Sequence, residues 1–248
     1  MNGSAHNTET RVVWMTFGNA VFLGCARSDA IPVHAFPDQA LEQLRETVQP
    51  SVAVDAETIV RLQAYLRLLD AWQKAKNLVS AGTLQDAWER HILDSAQLLR
   101  YGPANAVWLD LGSGAGFPGM VLAILMAKNA GSVQLVEANG RKTAFLRAVS
   151  RETGIPVRIH HARAEDLSAQ ETGPIGIVTA RAFAPLTKLI AYAAPWFAKG
   201  AYGLFLKGEG VDNEIEDAAK SHRFQYDQFR NAVTPGGSVL KLWLDKQP

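Results

Sequence analysis

Cysteine is almost missing from this chain, with Cys25 the sole one in 248 residues. That excludes a disulfide within the chain and a metal site built on paired thiolates, and it makes the cytoplasm the default compartment. No charge of one sign dominates. Lys and Arg number 25 against 24 Asp and Glu, a net charge of +1, so bulk charge does not announce a nucleic-acid partner and any basic face must be argued locally. Long hydrophobic runs are missing too. The apolar patch over 12–25 is broken by Gly18, Asn19 and Gly24, too short to span a bilayer. Phe22-Leu23-Gly24-Cys25 has the outline of a lipoprotein cleavage site, but Arg11 is the one cation before it and the apolar run is interrupted. Secretion is the weaker reading. Residues 1–37 are expected to be a disordered or accessory tail, or sequence upstream of a later start such as Met15.

What is present suits one α/β domain with appendages: 48% hydrophobic and 20% charged residues, enough for a packed core in 248 residues. Organised structure is expected from Pro37-Asp38 onward. A short helix runs through Leu41 and Leu44. A stronger one over 55–76 sets Ile59, Leu62, Leu66 and Leu69 on one face, and a third over 84–100 carries Trp88, Ile92, Ala96 and Leu99. Tyr101-Gly102-Pro103 ends this small helical unit, residues 38–103.

From 104 to 248 strand and helix alternate. Strands are predicted at 106–111, 132–137, 156–160, 175–180 and 202–207, with helices at 117–128, 140–153, 185–196 and 211–221. Two extended runs, 224–232 and 238–244, flank Thr234-Pro235-Gly236-Gly237 and read as a hairpin. The pattern describes a parallel sheet with one antiparallel strand inserted at its end.

The chemistry concentrates where the first of these strands ends, at Asp110-Leu111-Gly112-Ser113-Gly114-Ala115-Gly116-Phe117-Pro118-Gly119. A strand that empties into glycines and opens a helix lets backbone N–H groups approach a ligand, because no Cβ intervenes. Nicotinamide, flavin and S-adenosylmethionine domains all use such a turn. Glu137 lies 21 positions beyond Gly116, where a carboxylate can accept from two ribose hydroxyls of either NAD or S-adenosylmethionine. Asp110 favours S-adenosylmethionine, since a carboxylate there suits an ammonium group and would repel a pyrophosphate. The terminal hairpin favours it too. The fold expected is a Rossmann-like class I S-adenosylmethionine-dependent methyltransferase sheet, with a small N-terminal helical unit.

These residues carry a family resemblance. Lys76-Asn77-Leu78-Val79-Ser80, Trp88-Glu89-Arg90-His91-Ile92-Leu93-Asp94-Ser95, the glycine loop with its Phe-Pro-Gly, Arg163-Ala164-Glu165-Asp166, Thr179-Ala180-Arg181-Ala182-Phe183-Ala184 and Leu206-Lys207-Gly208 occur in that order. Over about 55–244 the chain resembles the RsmG (GidB) family of bacterial 16S rRNA guanine-N7 methyltransferases. The resemblance implies transfer of a methyl group from S-adenosylmethionine to N7 of guanosine 527 in the 530 loop, on rRNA or within a 30S particle. Guanine N7 has a free lone pair and no proton to lose, so no general base is required and catalysis rests on positioning. By position, Gly112, Phe117, Ala164, Glu165 and Arg181 match the family's cofactor contacts, with Arg181 also beside the target.

Each assignment has a plainer competitor. Gly112, Gly114 and Gly116 would only shape a tight turn; Asp110 would cap the loop or the next helix; Glu137 would be a solvated carboxylate. Phe117 would be core packing, and Arg181 would pair with a carboxylate. His91 is expected to make a structural hydrogen bond tying the third helix to the sheet beside Asp94. His160 and His161 are expected at a strand end and not at a metal. For RNA, Arg141, Lys142 and Lys207 are candidate phosphate contacts, with Arg147, Arg151, Arg61, Arg67, Lys74, Lys76 and Arg90 as further cations of a basic rim. Solvated helix faces are the alternative there. A small-molecule or protein methyltransferase, a nicotinamide-dependent oxidoreductase and a non-catalytic RNA binder remain open readings of the same fold.

Overall fold

The computed structural model describes residues 15–17, 20–22, 39–76 and 87–244, with side chains over 39–73 and 87–244. Most of the expected tail, Asn77 to Ser80 of the family signature and the start of the third helix lie outside these residues. Two strands of a first unit, Met15–Phe17 and Ala20–Phe22, pair antiparallel. Everything else belongs to a second unit, Phe36–Pro248.

Seven strands make its sheet: β1 (Val107–Leu111), β2 (Ser132–Val136), β3 (Arg158–His160), β4 (Ile177–Arg181), β5 (Tyr202–Lys207), β6 (Phe224–Arg230) and β7 (Ser238–Leu244). Their spatial order is β3-β2-β1-β4-β5-β7-β6. The first five run parallel, and β7 slots antiparallel between β5 and β6. This is the expected architecture. Strand order reverses at β1, whose neighbours are β2 and β4. A crevice at the carboxyl ends of the strands opens at such a reversal, so the topology fixes where a ligand can sit.

Both faces of the sheet are covered, because its strands are apolar on both sides. Trp108, Val133, Leu135, Ile177, Leu204 and Val239 point into one core with helices α1 (Ala40–Val48), α2 (Ala56–Lys76), α4 (Gly119–Leu125) and α5 (Gly140–Thr153). Leu109, Leu111, Val178, Ala180, Phe205 and Leu240 point into the other, against α6 (Ala169–Thr172), α7 (Leu186–Phe197) and α8 (Val211–Ala219). The N-terminal helices thus share the first core. Leu62, Tyr65, Leu66 and Leu69 of α2 are buried there, each burial worth about 1.5–3 kcal/mol.

Local chemistry sets the helix ends. Asn139 accepts from the amides of Arg141 and Lys142 to start α5, and Gly154, at φ 67°, closes it. Helix α4 is shorter than the expected 117–128, because its first turn begins only after Pro118. The four-residue α6, held by a Ser168–Glu171 capping box, is too brief for a periodicity to reveal. The third helical segment changes pitch twice. It is a π-helix over Trp88–Leu93, an α turn over Asp94–Ala96 and a 3-10 turn over Gln97–Arg100, together called α3 here.

A polar knot fastens α3 to the loop between β6 and β7. Asp94 Oδ1 accepts from Gln97 Nε2 (3.0 Å), Asn231 Nδ2 (2.7 Å) and Thr234 Oγ1 (3.3 Å). Asn231 Oδ1 accepts in turn from Gln97 Nε2 and from the amides of Val233 and Thr234. Asp94, Gln97 and Asn231 are all buried, so each bond lost leaves an expensive orphan. Asn231→Ala is expected to lower the unfolding free energy by about 1–3 kcal/mol in urea titrations. An unchanged midpoint would show that the knot contributes nothing.

Candidate cofactor cleft and its surroundings

The backbone after Leu111 runs through the left-handed region at Gly112 (φ 68°), Gly114 (φ 58°) and Gly116 (φ 98°). Side chains seldom tolerate this, so three glycines are a requirement of the path. They do different work. A Cβ on Gly112 would lie 2.1 Å from the ring of Phe183, while one on Gly114 would meet nothing closer than 3.8 Å. Gly116 is a packing position, where a Cβ would come within 2.6 Å of the Tyr65 hydroxyl.

Glu137, just past β2, reaches this loop. Its Oε2 accepts from Gly114 N at 2.8 Å and its Oε1 from Asn139 N at 2.7 Å. A cleft of about 440 Å³ opens here at the carboxyl ends of β1, β2 and β4. Gly112, Glu137, Ala164 and Glu165, all expected at the site, line it together with Lys142. Arg163, Phe183, Lys188 and Tyr192 line it as well. Phe183 stands in the Thr179–Ala184 signature directly after β4, and that place is the sign in the sequence of its position at the cleft. A larger depression of about 1490 Å³, bordered by Phe197, Tyr202, Arg223 and Trp243, contains none of the glycine-loop residues.

Three expected contacts lie beneath the cleft. Asp110 is fully buried and its Oδ2 accepts from Gly119 N at 3.1 Å, the capping bond, while Oδ1 has no partner among the described residues. Phe117 is a core ring and not a cleft wall, stacked on Tyr65 (centroids 5.3 Å apart) and His91 (4.5 Å). Arg181 lies against the same ring, 5.1 Å from its centroid. Its Nη1 donates to Arg90 O (2.6 Å) and Asp94 Oδ2 (3.3 Å), and its Nη2 donates to His91 Nδ1 (2.9 Å). Arg181 thus pins the end of β4 to α3.

A guanidinium can only donate, so His91 Nδ1 accepts and its proton sits on Nε2. Burial, then the Arg181 charge, pushes the His91 pKa down to about 4, and the ring is neutral near pH 7. Its expected structural bond to the sheet is this one to Arg181.

The basic rim needs correction. Lys207 does not face RNA: its side chain is 8% exposed, pairs with Glu214 at 2.6 Å and donates to Ala184 O, because the sheet edge there is covered by α8. Arg61 pairs with Glu57 at 2.7 Å. Arg141, Arg147, Arg151 and Arg67 are exposed, and the Lys74 and Lys76 side chains lie outside the described residues. His160 bonds Gln134 and His161 bonds the Ala138 carbonyl.

A glycine loop at the strand reversal, an acid at the end of the next strand and an antiparallel seventh strand together define the methyltransferase class of Rossmann-like fold. The family described as "rRNA small subunit methyltransferase G" (GidB) matches residues 58–238, and the chain belongs to it. A ribosomal RNA small subunit methyltransferase G of Rhodospirillum rubrum is 46% identical over 198 residues, covering 79% of this chain and 96% of that one. One from Rhodopseudomonas palustris is 50% identical over 191 residues, covering 76% and 81%. The family methylates rRNA with S-adenosylmethionine as donor. The residues present fit that group, since a cleft bordered by the Gly112 backbone and the Glu137 carboxylate suits a ribose, while Gly114 and Gly116, expected as contacts, shape the turn and do not line the cleft.

Burial pushes the Asp110 carboxyl up to about 7. A carboxyl that holds its proton more tightly when folded than when unfolded costs stability as it ionises. Stability contributed here is therefore full below about pH 4 and falls as pH rises toward about 7. Asp110→Asn has no such slope. Urea unfolding should show the variant gaining on the wild type, on the order of 2–3 kcal/mol, between about pH 5 and pH 8. Parallel profiles would contradict the buried-acid assignment.

Proposed function

We propose that this chain transfers the methyl group of S-adenosylmethionine to N7 of guanosine 527 in the 530 loop of 16S rRNA, by positioning and without a general base. The observation that carries the reading is the state of the cleft's acids. Both oxygens of Glu137 are engaged by backbone amides, and Glu165 lies 3.7 Å from Arg163. A site so arranged suits an acceptor that needs no deprotonation, and guanine N7 is one.

When bound, S-adenosylmethionine supplies an electrophilic methyl on a sulfonium. The chain's own residues then bind and orient. Glu137 is placed to accept from ribose hydroxyls on the lone pairs that its two amide donors leave free. The backbone at Ala164 and Glu165 borders the cleft where the adenine edge would be read. Arg181 is a positioning residue: by holding α3 against β4 it fixes the wall between Phe117 and the cleft. Lys142, Arg163 and Lys188 give the cleft a cationic margin suited to RNA phosphates. An rRNA substrate, free or within the 30S particle, also agrees with a cytoplasmic enzyme.

The test is methyl transfer from labelled S-adenosylmethionine to unmodified 30S particles and to protein-free 16S rRNA, with the modified base mapped chemically. Label at N7 of the 530-loop guanosine is expected. Label on another base, or on an exocyclic atom that must lose a proton, would overturn the reading.

A further inference from the structure

We propose that Phe183 is the platform on which the target base stacks during transfer. The inference rests on methylation of an rRNA base and is indifferent to which ring atom accepts the methyl.

Phe183 is one of three large apolar side chains that the described surface leaves exposed, at 37%. Val60 lies on α2 and Tyr226 on the outer strand β6; Phe183 alone of the three borders the cofactor cleft. Residues on either side of it are held from below. Arg181 is bonded into α3, Ala184 O accepts from Lys207 Nζ at 3.3 Å, and Leu186 N donates to Glu214 Oε2 at 2.7 Å. Lys207 and Glu214 are themselves paired at 2.6 Å. Between these clamps Ala182 takes φ 48°, a left-handed conformation that alanine rarely adopts. A loop anchored at both ends that still turns through such a residue holds Phe183 out from the sheet.

The ring is in the right place for a base. It lies against Gly112, the glycine at the end of β1, so it adjoins the cradle that the methyl donor needs. Its ring neighbour, Tyr192, stands tilted by 43° at 5.9 Å and is not stacked on it. Enzymes that modify a base commonly act on single-stranded segments or extrude the base from its stack, and an unstacked base regains that contact on an aromatic side chain. Lys142, Arg163 and Lys188 on the same cleft offer charge to the flanking phosphates. A flat apolar surface beside the methyl donor, with three cations among the acids of the same cleft, suits an extruded nucleotide.

Three variants test this: Phe183→Ala, Phe183→Leu and Phe183→Trp. Tritium transfer to unmodified 30S particles gives kcat and KM whichever atom is labelled, and calorimetry gives the Kd for S-adenosylmethionine. The Ala and Leu variants should lose roughly ten- to a hundredfold in kcat/KM for the RNA substrate, carried mainly by KM. Their cofactor Kd should stay near wild type, and Trp should restore transfer. A Leu variant as active as wild type would overturn the proposal, since Leu is apolar but cannot stack. So would an Ala variant whose cofactor Kd rises in step with its lost activity while the RNA KM is unmoved, which would make Phe183 a cofactor wall. Label at an atom other than N7, with the same pattern among the variants, would overturn the N7 reading and leave this one standing.

Discussion

The structure depends on a backbone path that only glycine takes easily. After Leu111 the chain must turn out of the sheet, expose amides and re-enter a helix within eight residues, passing positive φ at 112, 114 and 116. The bonds that define the cleft hang on that turn. Gly114 offers its amide to Glu137, which joins the end of β1 to the end of β2. Gly119 offers its amide to Asp110, which starts α4. Gly116 leaves room for Tyr65, whose hydroxyl donates to the Ala115 carbonyl and brings α2 down onto the loop.

A second set of contacts makes the N-terminal helices part of the site. Arg181 extends from β4 to three acceptors on α3, and Asp94 of α3 continues the chain of bonds to Asn231 and Thr234. The end of β4 and the β6–β7 loop, 87 and 137 residues from Asp94 in sequence, are thereby fixed to α3. Stacked under them, Tyr65, Phe117 and His91 form a rigid floor behind the glycine loop. The proposed catalysis by positioning would need such rigidity, because rate is lost when bound partners drift by an ångström.

Much of this was legible in the sequence. Alternating apolar runs gave the strands to within two residues, and the glycine spacing with Glu137 located the cleft, because these signals are local and periodic. The partners of charged residues were not legible. Arg181 and Lys207 each meet groups on other elements, and Asp94 is 87 residues from Arg181, whereas the cap that Asp110 makes on α4 lies nine residues away and was among its readings. Nothing along the chain says that Lys207 will be covered by α8 or that Phe117 will turn inward while Phe183 turns outward. Both rings follow β-strand ends, and their burial is decided by whether a helix packs over them. The two pitch changes in α3 left no mark in its apolar pattern either.

We propose that the glycine loop and Glu137 together form the seat of S-adenosylmethionine. Calorimetric titration of wild type and Glu137→Ala with S-adenosylmethionine and with NADH decides it. Wild type is expected to bind S-adenosylmethionine and not NADH, and the variant, still folded by circular dichroism, to bind it at least about tenfold more weakly through loss of charge-assisted hydrogen bonds. NADH binding by the wild type, or unchanged S-adenosylmethionine affinity in the variant, would contradict it.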